Sequence, residues 1–414
     1  MRGYLRKVPK NRANVTPIAR GRGGRGPRGR KRFAEFFCGI GLVHEALKDL
    51  GWTCVYANDI DPKKTEAYSR NFADVEPHLA DLRDVDPETL PAFELATASF
   101  PCVDVSQAGG REGIHGEGSG LVWVFLDKLR ALRDLGRLPR FLLIENVPGL
   151  LTHDDGRGIE HLLRGVASLG YAFDVVQVDA KHFTPQSRNR VFVIGTTDDV
   201  ASSQVLMPDE HIRRYKVQHA YERTRDLAWA FFDFPDLPER KVGLDKVLVD
   251  LPDDDSRWWN EERTAYFWEH LEHDHKPRLR AMVEAGLEIQ MTAVRRGRRR
   301  RLREQIFNLR FDGLASCLRT PKGGSAIQFI VRVRRGKAKI RRILGIESAR
   351  LQGVCLTGMS PNFIIPDKEQ EALFAFGDAV CVPALRWVVQ HSIDAMADGK
   401  DVLYTGHLPL AVAN

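Results

Sequence analysis

The chain has 414 residues, 43% of them hydrophobic and 28% charged, and a formal net charge of +7. That length suits roughly two or three domains with sizeable cores, and the composition is that of a folded globular protein. No apolar run approaching the roughly 18 residues of a membrane span is expected, and the basic N-terminus lacks the apolar stretch of a secretory signal, so a cytoplasmic, nucleoid-associated location is the reading.

Residues 1–31 form a basic tail containing "RGRGGRGPRGRK". Twelve Lys/Arg and no Asp/Glu fall within residues 1–32. Without apolar periodicity such a segment is expected to be disordered on its own. From Arg32 strand and helix signals alternate. "RFAEFF" is an apolar strand ended by "CGIG", and "LVHEALKDLG" has helical spacing and a glycine stop. "TCVYAND" is a second strand, followed by a helix with proline at its first position in "PKKTEAYSRNF". "FELATASF", "RFLLIEN", "AFDVVQVDA" and "RVFVIGTT" read as further strands, with helices over "GLVWVFLDKLRALRDLG" and "GRGIEHLLRGVASLG". This alternation predicts a doubly wound α/β sheet over residues 32–196. Residues 197–337 break the pattern, reading first as helices and loops rich in charge and Trp, and are taken as an inserted lobe. Residues 338–400 return to α/β material with a closing amphipathic helix, and 401–414 form a second tail.

The positive charge is concentrated. Residues 291–342 hold seventeen Lys/Arg against Glu304 and Asp312. Density of this kind points to a polyanion, most simply nucleic acid; the alternative is a solvated basic face. The six cysteines, Cys38, Cys54, Cys102, Cys317, Cys355 and Cys381, include no Cys-x-x-Cys pair. Neither a zinc site nor a disulfide scaffold is expected, and no metal is called for.

Five pairs of residues fall where open α/β sheets bind ligands, at strand ends. Gly39 and Gly41 lie in the first strand–helix turn, and Asp59 and Asp61 end the second strand about 20 residues later, the spacing of a nucleoside site. The third glycine of a dinucleotide fingerprint is absent, so an adenosine without a pyrophosphate fits better. Pro101 and Cys102 end one strand, Glu145 and Asn146 another. Arg188 and Arg190, two apart at the start of a third, share one face. Each alone suits a structural role, Cys102 as a small core residue among them; together they place a thiol, a carboxyl and two guanidinium groups beside a nucleoside pocket.

In that order, "FFCGIG", "SFPC", "ENV", "QSRNR", "RILGIESARLQG" and "FGDAVCVP" make the chain resemble the cytosine-C5 DNA methyltransferases. The likeness covers residues 32–196 and roughly 304–390. It implies a Rossmann-like class I methyltransferase sheet carrying a smaller target-recognition lobe, with S-adenosylmethionine as cofactor and S-adenosylhomocysteine as product. Duplex DNA is the implied partner; no membrane and no obligate protein partner is called for, and a monomer is expected. By the same resemblance Phe37, Gly39 and Gly41 form the cofactor loop, Asp59 sits at the ribose and Ile60 stacks on adenine. Asp81, Pro101, Leu121 and Asp378 are further cofactor contacts. Cys102 is the nucleophile, Glu145 the acid beside the base, and Arg188 and Arg190 the paired active-site arginines. Three positions depart from the pattern: Leu42 stands where glycine is common, Glu35 where aspartate is usual, and Asp378 where asparagine is usual. Asp378 adds a negative charge near the methionine end of the cofactor.

The implied chemistry needs these groups. A thiolate adding at C6 of cytosine makes C5 nucleophilic, and nearby arginines favour the thiolate. Glu145, kept protonated by partial burial, can donate to N3. The target atom is inaccessible in a duplex, so the base must be flipped, and the glycine-rich stretch 103–120 is expected to close over it. A tRNA cytosine-C5 methyltransferase and a catalytically silent DNA-binding regulator of the same fold are the alternatives.

Overall fold

In the computed structural model, residues 31–100, 120–198, 207, 211–297, 305–321 and 327–404 are described. The large sheet contains β1 (Arg32–Phe36), β2 (Thr53–Asp59), β3 (His78–Leu79), β4 (Leu95–Ala98), β5 (Phe141–Asn146), β6 (Ala172–Asp179) and β7 (Asn189–Thr196). Their spatial order is β3-β2-β1-β4-β5-β7-β6. All neighbours pair in parallel except β7, which runs antiparallel to both β5 and β6. Strands buried on both faces must be apolar almost throughout, and β4 and β5 are buried at every position.

Helices α1 (Leu42–Lys48), α2 (Pro62–Ser69), α3 (Leu121–Asp134) and α4 (Arg157–Ser168) connect the parallel strands and cover both faces. On one face Val43, Ala46 and Leu47 of α1 pack with Phe33 and with the returning C-terminal segment. On the other, Phe125 and Leu129 of α3 and Ile159, Leu162 and Val166 of α4 pack against Phe36 and Ile144. α2 starts where it does because Pro62 occupies its first turn and the Asp61 carboxylate accepts the amides of Lys63 and Lys64.

After the last strand of the large sheet come α5 (Tyr215–Arg223), α6 (Leu244–Val247), α7 (Glu261–His270) and α8 (His275–Glu284). A second, antiparallel sheet follows, made of β8 (Ile289–Gly297), β9 (Gln305–Arg310), β10 (Gln328–Arg334) and β11 (Lys337–Arg342), in the order β11-β10-β8-β9. Its inner face, with Met291, Phe307, Phe329, Val331 and Ile340, closes on Phe267 of α7 and Leu279 of α8. β11 belongs to this sheet, so the small lobe extends beyond the expected boundary at 337. Helices α9 (Gly345–Leu351), α10 (Glu369–Gly377) and α11 (Val382–Val389) then return the chain to the large sheet.

The return corrects one expectation. The stretch Glu369–Ala397 is long and apolar enough to span a membrane, with a mean hydropathy of 1.6. Here much of it is core: Val382, Leu385, Val388 and Val389 of α11 are buried among α1 and the large sheet.

Strand order reverses between β1 and β4, with β2 on one side of β1 and β4 on the other. A crevice opens at such a switch point, outside the carboxyl ends of the strands. The ends of β1, β2, β4 and β5 and the start of β7 all meet this edge.

Candidate active site

The β1–α1 turn is built from left-handed residues: Phe37 (φ 58°), Gly39 (φ 55°) and Gly41 (φ 83°). A phenylalanine is rarely held there, and such strain clusters at ligand sites. The Cys38 amide donates to the Asn58 carbonyl at 2.9 Å, and the Gly41 amide to the Cys38 carbonyl at 2.9 Å. A side chain on Gly41 would collide with the rings of Tyr68 and Phe72, whereas one on Gly39 would enter open space. The two glycines therefore serve different needs: Gly41 lets α1 and α2 approach, and Gly39 leaves the crevice clear.

Asp59, at the end of β2, anchors the turn. Its Oδ2 accepts the Gly39 amide at 2.8 Å and its Oδ1 accepts the Asp61 amide at 2.9 Å. A carboxylate has about four acceptor sites, so this leaves capacity for hydroxyl groups. Ile60 next to it is 65% exposed, a large apolar side chain held in solvent. Asp81 accepts the Arg83 amide at 2.9 Å and pairs with its guanidinium at 2.9 Å. Leu121 is half-buried at the first turn of α3.

A groove of about 730 Å³ runs beside the turn between α2 and α10, lined in part by Ile40, Asp61, Lys64, Phe374 and Asp378. The charge added by Asp378 meets Lys64, whose Nζ lies 2.8 Å away. Burial pushes the Lys64 ammonium down, but Asp378, Asp59 and Asp61 together hold it above its ordinary value. Glu35, on β1, is buried, and that burial raises its pKa well above the usual carboxylate range, against the opposing pull of the His44 amide.

The second cluster follows from the antiparallel pairing of β5 and β7. Glu145 stands opposite Phe192. Arg190, two residues before Phe192, lies on the same face as its diagonal neighbour. Arg190 Nε comes to 2.9 Å from Glu145 Oε1, and both side chains are largely buried. Asn146 donates its amide to the Phe100 carbonyl at 3.0 Å, tying β5 to the chain leading into Pro101. Pro101, Cys102 and the stretch 103–119 lie outside the described residues.

Arg188 and Arg190 share a face but make different contacts. Arg188 is 2% exposed. It donates to the Leu318 carbonyl at 2.9 Å, to Cys317 Sγ at 3.4 Å and to the Ala379 carbonyl. It thus bridges the loop before β10 and the return segment after α10. Burial, with the like charge of Arg190, brings its pKa down to about 10. Cys317 was missed in the sequence reading. The Ala315 amide donates to the Pro185 carbonyl and the Ser187 amide to the Ala315 carbonyl, which fixes this loop against the start of β7. Cys317 Sγ then lies 3.8 and 3.9 Å from the terminal nitrogens of Arg190. Burial pushes the thiol up, but Arg188 and Arg190 outweigh it and hold it below the ordinary value. Lys64 was missed too; only the excess acid at Asp378 pointed toward a needed cation.

The family profile described as C-5 cytosine-specific DNA methylase matches residues 31–393. The chain belongs to this family. Among curated relatives, the orphan methyltransferase M.Rho11sI of Bacillus phage rho11s is 27% identical over 62% of this chain and 50% of the relative. The type II methyltransferase M.DsaV of Dactylococcopsis salina is 26% identical over 87% of this chain and 85% of the relative. The chain thus spans about half the length of the first curated relatives it matches, and most of M.DsaV. Among solved structures, the Entamoeba histolytica methyltransferase EhMeth superposes with a TM-score of 0.56 at 14% identity, over 89% of this chain and 99% of that one. At that identity the likeness shows the fold, the class I methyltransferase sheet.

Proposed function

We propose that this C5 methylase transfers a methyl group from S-adenosylmethionine to C5 of a flipped cytosine in duplex DNA, through a covalent adduct of Cys102 with C6. The observation that carries the reading is the Glu145–Arg190 pair at the carboxyl edge of the sheet, on the same edge as the strained Phe37–Gly41 turn.

The crevice fits the cofactor. Gly39 leaves space a side chain would fill, Asp59 keeps acceptor capacity toward a ribose, and exposed Ile60 offers an apolar face to adenine. Asp81 and Leu121 would complete the adenosine contacts, and Asp378 with Lys64 would face the charged methionine end. When bound, S-adenosylmethionine supplies an electrophilic methyl group. Its positive sulfur would suit a pocket whose lining includes Asp61 and Asp378.

The remaining steps belong to the chain's own residues. The Cys102 thiolate forms a bond to C6, and the displaced electron pair makes C5 nucleophilic. A protonated Glu145 places its proton at N3, where that charge would otherwise accumulate, and is left as the carboxylate that pairs with Arg190. Arg190 keeps the Glu145 carboxyl aimed at the base, and Arg188 holds the surrounding segments together. Loss of the C5 proton to a base then expels Cys102 as thiolate, and N3 returns its proton to Glu145. The basic surface of the small lobe holds the DNA phosphates.

The test is expression of the full chain in a host without cytosine methylation, followed by bisulfite sequencing. Methylcytosine in a fixed context supports the reading. A Cys102→Ser chain that methylates at the wild-type rate overturns the covalent mechanism.

A further inference from the structure

The small sheet has two faces. Met291, Ala293, Phe307 and Leu309 point into the lobe core. On the opposite face the register sets Thr292 across from Arg310, Val294 from Asn308 and Arg296 from Ile306. Arg296 and Asn308 are therefore diagonal neighbours on one surface, close enough to act on adjoining groups. They line a groove of about 500 Å³ together with Arg278, Arg310, Asp312 and Ser316.

Two of its cations are already fixed. Arg310 is forked onto Asp312, with Nε 3.0 Å from Oδ1. Arg278 lies over the Phe311 ring at 3.8 Å. Two further polar groups of the lining face it uncommitted: exposed Arg296 has no ion-pair partner, and half-buried Asn308 no side-chain hydrogen bond, among the described residues. Such groups match base edges, a guanidinium reading O6 and N7 of guanine and a carboxamide reading N6 and N7 of adenine.

The groove also adjoins the catalytic cluster. Ser316 lines it, and the next residue, Cys317, touches Arg190, which pairs with Glu145. A base placed at Glu145 would therefore bring its neighbouring base pairs toward this groove, and a strand pair is narrow enough to enter a major groove.

We propose that this groove reads the base pairs flanking the target cytosine, with Arg296 specifying a guanine and Asn308 an adenine. The proposal rests on the methyltransferase reading. It assigns sequence choice to the face of β8 and β9 rather than to the dense arginine run between them.

The experiment selects bound duplexes from a pool with randomised positions, using the purified full chain and its Arg296→Lys, Arg296→Ala and Asn308→Ala variants. Arg296→Lys keeps the charge and removes the fork. It is expected to lose preference for guanine at one position by about ten-fold or more, with an unchanged salt dependence. Asn308→Ala is expected to relax a different position by a similar factor. Binding selection needs no turnover, so an inactive variant still gives an answer, and a variant that binds all sequences as tightly as the wild type binds its consensus is folded. The proposal is overturned if the variants keep the wild-type consensus. It is also overturned if Arg296→Ala weakens binding equally for all sequences and lowers the salt slope by about one, the mark of a phosphate contact. A chain that selects a consensus, relaxed by these variants, yet methylates nothing would support the groove and overturn the catalytic reading instead.

Discussion

Arg190 and Glu145 form an ion pair at 2.9 Å across two antiparallel strands, with the Arg190 and Glu145 side chains 12% and 10% exposed. Removing one member of a buried pair strands the other charge. Arg190→Met is expected to lower stability by about 3–5 kcal/mol in urea unfolding. The double variant Arg190→Met/Glu145→Leu, which removes both charges, should recover most of that loss. Methyl incorporation should stay abolished in both, which separates the fold from the chemistry.

Cys317 sits against Arg188 and Arg190, and their charges hold its thiol below the ordinary value. Its alkylation, followed peptide by peptide by mass spectrometry across pH, should therefore persist below pH 9. Cys38 and Cys381, which burial pushes up, should stay unreactive over the same range. Because the folded thiol ionises more readily than the unfolded one, its contribution to stability is present above the unfolded value and fades as pH falls. The stability gap between the wild type and Cys317→Ser should thus widen as pH rises. A flat gap would remove the thiolate from this account.

His44, on α1, stacks on Phe72 with ring centroids 4.0 Å apart and shares a 2.8 Å hydrogen bond with the Tyr68 hydroxyl. Burial lowers its pKa to about 4. A base that is harder to protonate when folded stabilises the fold above its unfolded value, about 6.5. That contribution should fall away as pH drops from 6.5 through 4. Urea unfolding at pH 7.5 and 5 should show the loss, and His44→Phe should reduce it.

Gly39 and Gly41 should fail differently. Gly41→Ala meets both a left-handed backbone and the rings of Tyr68 and Phe72, so overpacking of about 1–3 kcal/mol adds to the backbone strain. Gly39→Ala meets open space and carries only the backbone cost, about 1–2 kcal/mol. Its larger effect should be on S-adenosylmethionine affinity, measured by calorimetry, because the new methyl group enters the crevice.

Much of this was legible in the chain alone. The strands of the large sheet are apolar runs and its helices carry apolar stripes, and both are local patterns. Gly39, Asp59, Glu145 and the Arg188/Arg190 pair sit at strand ends, a position that a short window of sequence reveals. The small sheet was hidden, because Arg295, Arg296, Arg332 and Arg334 fall within its strands and their charge masks the alternation of "IQMTAVRRG" and "QFIVRVR".

The sequence by itself determined most of the strands and helices of the large sheet, the glycine turn after its first strand and the chemical types gathered at the sheet edge, since each depends on neighbours a few residues away. Tertiary structure alone decided which arginine meets the carboxyl. It set Arg190 on Glu145 and turned Arg188 toward Cys317, Leu318 and Ala379, more than a hundred residues on. It likewise brought Lys64 to Asp378 and aligned Arg296 with Asn308. Such pairings depend on strand register and on where the returning chain packs, and no local pattern encodes either.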